Sequence, residues 1–445
     1  MSSSALMADM PKYVSEFVGT YILVLTIGCN VLGGTAVWAV TSIACALMVS
    51  IYAFGAVSGA HLNPAVTLSI ALTNKMPYKE AGLYMAVQLF GGFCAGMTYL
   101  GLFKTAFELG PGKGHSWLAA GVVELLYTAM LCFVVLNVAC ASASSDNQYY
   151  GLAIGFVVVA GGYAVGTISG GCFNPAVSFG IDVASYDQGI YMCFVYTVFQ
   201  MIGAALAAGL FRLIRAEDFG GVALTLNSKL MAEAVGTFML TLTVGFNVLT
   251  ASAAGAYSIG ACLMCMIYAL GNVSGAHFNP AVTLAVFLSG RDIISKEDAA
   301  KYVGVQIISS IVAGLTYMAV LGMSFRVAPG LGWFKTGLGE IIFTALLCFV
   351  VLSVATTKKP SQDMFGLAIG SVITVAGFAG ASLGVVLNPA VGIGIDFTNM
   401  VKGGHFGNSL LYTLLEGVGA AAAVGLFKTV RPGEYDSVKG GKLMP

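Results

Sequence analysis

Long apolar runs, separated by short polar breaks, follow one another along the chain. Runs long enough to cross a bilayer as helices lie at about 12–33, 36–57, 81–103, 117–140, 150–169 and 189–214. Six more follow at about 229–250, 256–273, 299–323, 336–356, 365–383 and 406–428. Four further apolar stretches are too short to cross. Each opens with Asn-Pro-Ala-Val, at Asn63, Asn174, Asn279 and Asn388. Local physics explains the wording. Asn is a preferred N-cap because its side chain satisfies a free amide of the first helical turn. Pro suits the first helical position, where its missing N–H costs nothing. The pattern predicts twelve spanning helices and four short helices that enter a membrane and stop.

The runs repeat. Asn63 and Asn279 are 216 residues apart, and Asn174 and Asn388 are 214 apart. Glu124-Leu-Leu-Tyr-Thr-Ala-Met-Leu-Cys-Phe-Val-Val matches Glu340-Ile-Ile-Phe-Thr-Ala-Leu-Leu-Cys-Phe-Val-Val, again 216 apart. A weaker repeat lies inside each half: Asn63 to Asn174 is 111 residues, and Asn279 to Asn388 is 109. Each half thus holds two quarters of three spans and one short helix. Three is odd, so consecutive quarters enter the membrane from opposite sides. Such inverted repeats place a shared site near the midplane. The polar link near 216–228 divides the halves, giving expected units 1–219 and 220–432 and a polar tail 433–445, read as disordered.

Composition agrees. Of 445 residues, 58% are hydrophobic and 9% charged, with mean hydropathy +0.89. A soluble domain carries about 25% charged residues, so the chain reads as an integral membrane protein. Net charge is zero, which suggests no nucleic-acid or anionic-surface partner. The ten Cys lie mostly in apolar runs. Cys262 and Cys265 lack His or further Cys nearby, so the cysteines read as small core residues and no metal or cofactor is expected. The first ten residues lack a basic region before an apolar stretch, so no cleaved signal peptide is expected. With the N-terminus inside, fifteen Lys and Arg fall on the inner side and five (Lys104, Lys113, Arg326, Lys335, Lys402) on the outer. That excess predicts both termini in the cytosol, without saying which membrane.

Gly-Ala-His-Leu-Asn-Pro-Ala-Val, a second Asn-Pro-Ala about 110 residues on, and a Glu in the first and fourth spans resemble the aquaporin (major intrinsic protein) family. The resemblance covers nearly the whole chain, twice over, as two units fused in tandem. It implies an all-α membrane protein of twelve transmembrane helices plus four re-entrant half-helices. In each bundle two half-helices would meet at the bilayer centre through Asn63, Pro64, Ala65 with Asn174, Pro175, Ala176, and through Asn279, Pro280, Ala281 with Asn388, Pro389, Ala390. A narrow pore would run through each bundle for water or small neutral solutes. Family members usually form tetramers, so a homodimer of tandem chains would supply four bundles. A water at the centre would accept from both Asn side chains, which breaks a proton-conducting chain. The half-helix dipoles alone repel a cation by only about 3 kcal/mol, taking half a charge each at about 5 Å and a dielectric near 20. Loss of the ion's hydration shell must supply most of the barrier.

The chain departs from the family at the outer constriction. Members commonly carry Arg three residues after the second Asn; here the residues are Val177 and Val391. By sequence offset the ring would be Ile43, Gly162, Gly171 and Val177 in the first unit, and Ile259, Ala376, Val385 and Val391 in the second. All eight are apolar or small. Such a ring should admit glycerol, urea or ammonia more readily, or dewet and close. His61 and His277 precede the first Asn of each unit by two residues and, by resemblance, lie near the pore mouth, where a His permits a pH-sensitive gate or simply bonds the loop. Cys172 holds the matching place before Asn174. Glu16, Glu124, Glu233 and Glu340 lie inside apolar spans, where a carboxylate is costly; the family implies that they hold the re-entrant loops through backbone amides. Glu416 replaces the Gln200 of the first unit. Either it is protonated and hydrogen-bonded, or it makes the second unit chemically distinct. Gly92–Gly96, Gly151–Gly155 and Gly366–Gly370 are small-residue packing seams.

Three readings compete. The first is a passive channel. The second is an alternating-access transporter, since inverted repeats mark those folds too, although no charged residue flanks the Asn turns to bind a coupling ion. The third is a structural or junctional membrane protein with vestigial pores. No catalytic constellation is visible, so an enzyme is not expected.

Overall fold

The computed structural model describes residues 3–35, 37–144, 146–222 and 224–436, with side chains from residue 9 onward. Most of the expected tail, 437–445, lies outside the described residues. Packing divides the chain into two compact units, Met1–Gly221 and Val222–Pro445; the expected boundary at 219/220 lies two residues earlier.

Every regular element among the described residues is helical. Unit 1 comprises α1 (Ser3–Leu32), α2 (Ala39–Ser58), α3 (Pro64–Leu72), α4 (Tyr78–Phe103), α5 (Trp117–Val135), α6 (Tyr150–Ser169), α7 (Pro175–Ala184) and α8 (Met192–Ile214). Unit 2 comprises α9 (Leu226–Leu249), α10 (Gly255–Ser274), α11 (Pro280–Leu288), α12 (Lys296–Leu321), α13 (Trp333–Val354), α14 (Phe365–Ala379), α15 (Pro389–Val401) and α16 (Asn408–Val430). Among the described residues eleven helices are long and apolar enough to cross a membrane. The twelfth, expected over 365–383, is α14, which stops at Ala379 and ends in a 3-10 turn, Ala381–Leu383. The cause is local. The carbonyl of Leu383 accepts from Gly330 N at 3.0 Å and Thr336 Oγ1 at 2.6 Å, and Leu383 N donates to Gly380 O at 2.9 Å, three residues back, tightening the last turn. Bulky apolar side chains point outward, Phe334 at 85% exposure and Leu414 at 68%, as a lipid-facing surface requires.

In unit 1, α1 packs on α2 and α4, α2 on α6, and α5 on α6 and α8. The half-helices cross over: α3 lies against α8 and α5, whereas α7 lies against α4 and α1. Unit 2 repeats this, with α11 on α16 and α15 on α12 and α9. The small-residue seams mark these crossings. A methyl on Gly92 would lie 2.3 Å from the Ala176 carbonyl oxygen, so α7 approaches α4 only because that position is bare.

The end of unit 1 is pinned by charge. Lys75, just past α3, meets Asp218 Oδ2 at 2.8 Å, and Ser142 N donates to Asp218 Oδ1 at 3.4 Å. Burial opposes ionisation of Asp218, but the hydrogen bond from Lys75, its charge and the Ser142 amide prevail. They hold the carboxyl below its ordinary value of 3.8. The stability contributed is therefore full above that value and lost as pH falls through the lower folded value. Hydrogen-exchange protection of the Ser142 amide is expected to fall on acidification below about pH 4 in the native chain, and to be low at every pH in Asp218→Ala, which removes the acceptor.

Candidate functional site

Each half-helix starts on an Asn in extended conformation, with φ between −150° and −159°. The side-chain oxygen accepts from the backbone amide two residues on. These bonds run from Ala65 N to Asn63 at 2.8 Å, Ala176 N to Asn174 at 2.9 Å, Ala281 N to Asn279 at 2.8 Å and Ala390 N to Asn388 at 3.1 Å. Pro occupies the first turn in all four. The caps expected from the sequence therefore form.

The Asn side chains also reach across. In unit 1, Asn63 Nδ2 donates to Phe173 O and Asn174 Nδ2 donates to Leu62 O, both at 2.9 Å. In unit 2, Asn279 Nδ2 donates to Leu387 O at 2.7 Å and Asn388 Nδ2 to Phe278 O at 2.9 Å. Each half-helix is thus tied to the carbonyl just before its partner's Asn. A carboxamide has two N–H donors. The crossing bond uses one, leaving a second on each Asn for whatever occupies the centre. Two helix N-termini converge there, which favours acceptor atoms over cations.

The approach to each Asn is forced into left-handed backbone. In unit 1, φ is +86° at Gly59, +48° at Ala60 and +52° at Leu62, then +87° at Gly170, +68° at Gly171 and +50° at Phe173. Gly275, Ala276 and Phe278 repeat the pattern at +85°, +51° and +47°. Such conformations cost non-glycine residues about 1–2 kcal/mol each, so something must hold them. It is the buried Glu of α1, α5 and α9. Glu124 accepts from Ser169 Oγ at 2.7 Å, Cys172 N at 2.9 Å, Phe173 N at 2.7 Å and Gln200 Nε2 at 2.8 Å. Glu16 accepts equivalently from Ser58, His61 N, Leu62 N and Gln88. Glu233 accepts from Ser274, His277 N, Phe278 N and Gln306. The Ser hydroxyl in turn accepts from the amide of the first left-handed residue after the glycine, as in Gly171 N to Ser169 Oγ at 3.1 Å. The Gln also donates to Thr67, Ser178 or Thr283 one turn into the half-helix. The Ser and Gln partners were not read from the sequence, yet Ser-Gly precedes three of the four motifs: Ser58-Gly59, Ser169-Gly170 and Ser274-Gly275.

The fourth clamp differs at every side-chain partner. Leu383 stands for the Ser, Gly392 for the half-helix hydroxyl and Glu416 for the Gln. Glu340 keeps only backbone amides, a short bond from Val386 N and one from Leu387 N at 3.1 Å. β-Branched Val385 does not adopt the left-handed conformation of its counterparts; only Gly384 at +72° and Leu387 at +61° do. Glu416 is fully buried; neither of its oxygens reaches an ordinary hydrogen bond among the described residues, and the backbone amide of Asn388 is the donor that acts on it.

The remaining expected residues fall as follows. His61 Nδ1 meets Thr67 Oγ1 at 3.2 Å and its ring stands 5.2 Å from Tyr84; His277 Nδ1 meets Thr283 Oγ1 at 3.1 Å. Both His side chains are therefore bonded within the motif. Cys172 is half-buried, with its amide on Glu124. Val177 is buried at 2% exposure, and Gly171 lies against Gly162, whose own Cβ direction faces Val40 of α2. Unit 2 holds a half-open cavity of about 560 Å³ lined by His277, Asn279 and Asn388, and by Ile259, Val385 and Val391. Three of its four expected ring positions therefore share one cavity. At the fourth, Gly377 lines it while Ala376 is fully buried; the expected Ala376 is one residue off, since Gly151–Gly155 and Gly366–Gly370 repeat at a spacing of 215, which pairs Gly162 with Gly377. Asp182 and Asp396, not singled out from sequence, cap the following helices: Asp182 accepts from Cys193 N and Asp396 from Ser409 N, each at 2.8 Å.

This doubled geometry has a counterpart among known proteins. The family model "Major intrinsic protein" matches residues 3–211 and again 221–427. The chain belongs to the major intrinsic protein family. Its relatives match one unit's length at a time. The putative aquaporin NIP4-1 of Arabidopsis thaliana is 31% identical over 228 residues, covering 49% of this chain and 79% of that protein. Aquaporin NIP2-1 of Oryza sativa subsp. japonica is 34% identical over 219 residues, covering 47% and 72%. Among solved structures, the aquaglyceroporin from Plasmodium falciparum aligns over 48% of this chain and all of that one, at 21% identity and a TM-score of 0.43. The chain is thus a tandem of two units of this family in an all-helical membrane fold.

Proposed function

We propose that each unit is a passive channel for water and small uncharged solutes such as glycerol, urea or ammonia. The observation that carries this reading is the pair of crossed Asn turns, which leaves one N–H per Asn free at the centre of each unit. A passing hydroxyl or carbonyl accepts from both; a cation finds donors where it needs acceptors. The names of the relatives, aquaporins, point the same way. The apolar ring positions, with Val177 and Val391 where the family commonly has Arg, favour solutes less polar than water at the outer mouth. Neither Val side chain donates a hydrogen bond, so glycerol and urea are expected to gain over water relative to an Arg-bearing ring.

Both termini are proposed to face the cytosol, on the excess of Lys and Arg along that side. Two chains are proposed to associate as a homodimer, which would present four bundles. Osmotic swelling of proteoliposomes holding the full chain, under water, glycerol and urea gradients, tests the reading. Flux above empty vesicles for at least one neutral solute, linear in its gradient, is expected. Saturable flux coupled to an ion gradient would instead support an alternating-access transporter. No flux for any solute would leave a structural membrane protein whose apolar rings keep both pores dry.

A further inference from the structure

The segment joining α12 to α13 is tied down against the approach to Asn388. Val327 N donates to Asp396 Oδ1 at 3.2 Å, and Asn408 Nδ2 donates to Val327 O at 2.7 Å. Gly330 N donates to Leu383 O at 3.0 Å. A methyl on Gly384 would lie 2.7 Å from the Ala328 carbonyl oxygen, so the segment rests directly on bare backbone there. Within this segment Arg326 is exposed, but both of its neighbours are held. The ring of Phe325 stands 5.9 Å from that of Tyr317, and Val327 is buried.

Arg326 lines the same cavity as Ile259, Gly377, Val385 and Val391. Among the described residues no other Asp, Glu, Lys or Arg lines it. The guanidinium has no ion-pair or hydrogen-bond partner among the described residues, so its five N–H donors stay free. Acceptors complement it. Val385 and Val386 also line the cavity, and no donor among the described residues reaches either carbonyl oxygen. An unpaired carbonyl inside a bundle is costly, so these two are served by whatever fills the cavity. The matching segment of unit 1 brings no such donor. There the ring of Phe107 stands 5.8 Å from that of Tyr99 and Leu109 is buried, as in unit 2, but the residue between them is Glu108, an acceptor only when ionised.

We infer that Arg326 is a specificity-determining residue of unit 2 that selects urea and small primary amides, making this unit the chain's main urea route. The inference rests on the channel reading. A solute that enters an apolar ring sheds water, and each polar group left unpaired there raises the barrier. An amide oxygen has two lone pairs, which two N–H groups of one guanidinium fork can meet together. The amide's own N–H groups donate to the carbonyls of Val385 and Val386. Urea thus exchanges the hydrogen bonds of water for those of the protein beside Val391, whose side chain offers none. Because the donor comes from the connecting segment, the ring positions themselves keep their small and apolar side chains. The solute is neutral throughout, so neither accumulation of an ion nor a proton transfer is involved.

The test uses the full chain in proteoliposomes and three solutes, urea, thiourea and ethylene glycol, with flux read by light scattering and corrected for empty vesicles. Thiourea keeps the shape and the N–H groups of urea, but its sulfur is a weak acceptor. Arg326→Met removes the donors at similar side-chain length. It is expected to lower the ratio of urea to ethylene-glycol flux about threefold to tenfold, the worth of one hydrogen bond, and to leave the ratio of thiourea to ethylene-glycol flux where it was. Arg326→Lys, with a single ammonium in place of the fork, is expected to fall between the native chain and Arg326→Met. A urea ratio unchanged in both variants, or a thiourea ratio that falls as far as the urea ratio, would overturn the inference while ethylene glycol still flows. Absence of ethylene-glycol flux from the unaltered chain would overturn the channel reading, and the inference with it.

Discussion

Replacing Glu124 by Leu is expected to unfold the second re-entrant segment of unit 1, whereas replacing Glu340 by Leu is expected to cost unit 2 about half as much. Glu124 satisfies four donors in an apolar bundle: the Ser169 hydroxyl, the Cys172 and Phe173 amides and the Gln200 side chain. Each buried donor left unpaired costs about 1–3 kcal/mol, so the loss is roughly 4 kcal/mol or more. It falls on a segment with one non-glycine residue in the left-handed region, Phe173. Glu340 holds only the Val386 and Leu387 amides, two donors where Glu124 holds four, with Leu387 as the matching left-handed residue. The monodisperse fraction after heating in detergent measures the loss, and the maleimide-labelling rate of Cys172 reads unit 1 locally. Equal losses in the two variants would show that the clamps do not differ in what they hold.

Glu416→Gln is expected to stabilise unit 2, by about 1–3 kcal/mol, the cost of leaving a buried polar group without a partner. In the other three quarters a Gln at this place donates to the clamping Glu at 2.8–2.9 Å. Glu416 carries no such donor when ionised, and neither of its oxygens reaches an ordinary hydrogen bond, the Asn388 amide being the donor that acts on it. The substitution should raise the thermal midpoint of the chain, and adding Leu383→Ser should raise it further by restoring the hydroxyl that the amide of residue 385 lacks. A lowered midpoint would mean that Glu416 is held by a partner that Gln cannot replace.

The repeat spacing made the centre of each unit legible. Four Asn, four Pro and four clamping Glu recur at fixed offsets, and each falls in the expected place. What stayed hidden depends on contacts between quarters. The Ser and Gln partners of each clamp come from different helices, so no local pattern unites them with the Glu. Comparing the four quarters shows the Ser-Gly pairs and the lone Leu383-Gly384. The ring position at Gly377 rather than Ala376 follows the local repeat of Gly151-Leu-Ala-Ile-Gly155 and Gly366-Leu-Ala-Ile-Gly370, 215 residues apart, whereas the Asn174–Asn388 spacing of 214 places it one residue early. Arg326 read from sequence only as an outer charge, because what brings it to the cavity is a connecting segment folding over the bundle.

Proton and neutral-solute flux measured in the same vesicles test the crossed-Asn centre most directly. Vesicles holding the full chain are loaded with a pH dye and exposed first to a glycerol gradient and then to a proton gradient under a potassium-clamped potential. Glycerol flux above that of empty vesicles, with proton flux no greater than theirs, is the expected result, because a hydroxyl or water accepting from Asn63 and Asn174, or from Asn279 and Asn388, has its own hydrogens turned away from the chain ahead of it. Proton flux rising together with glycerol flux, or no glycerol flux at all, would contradict it.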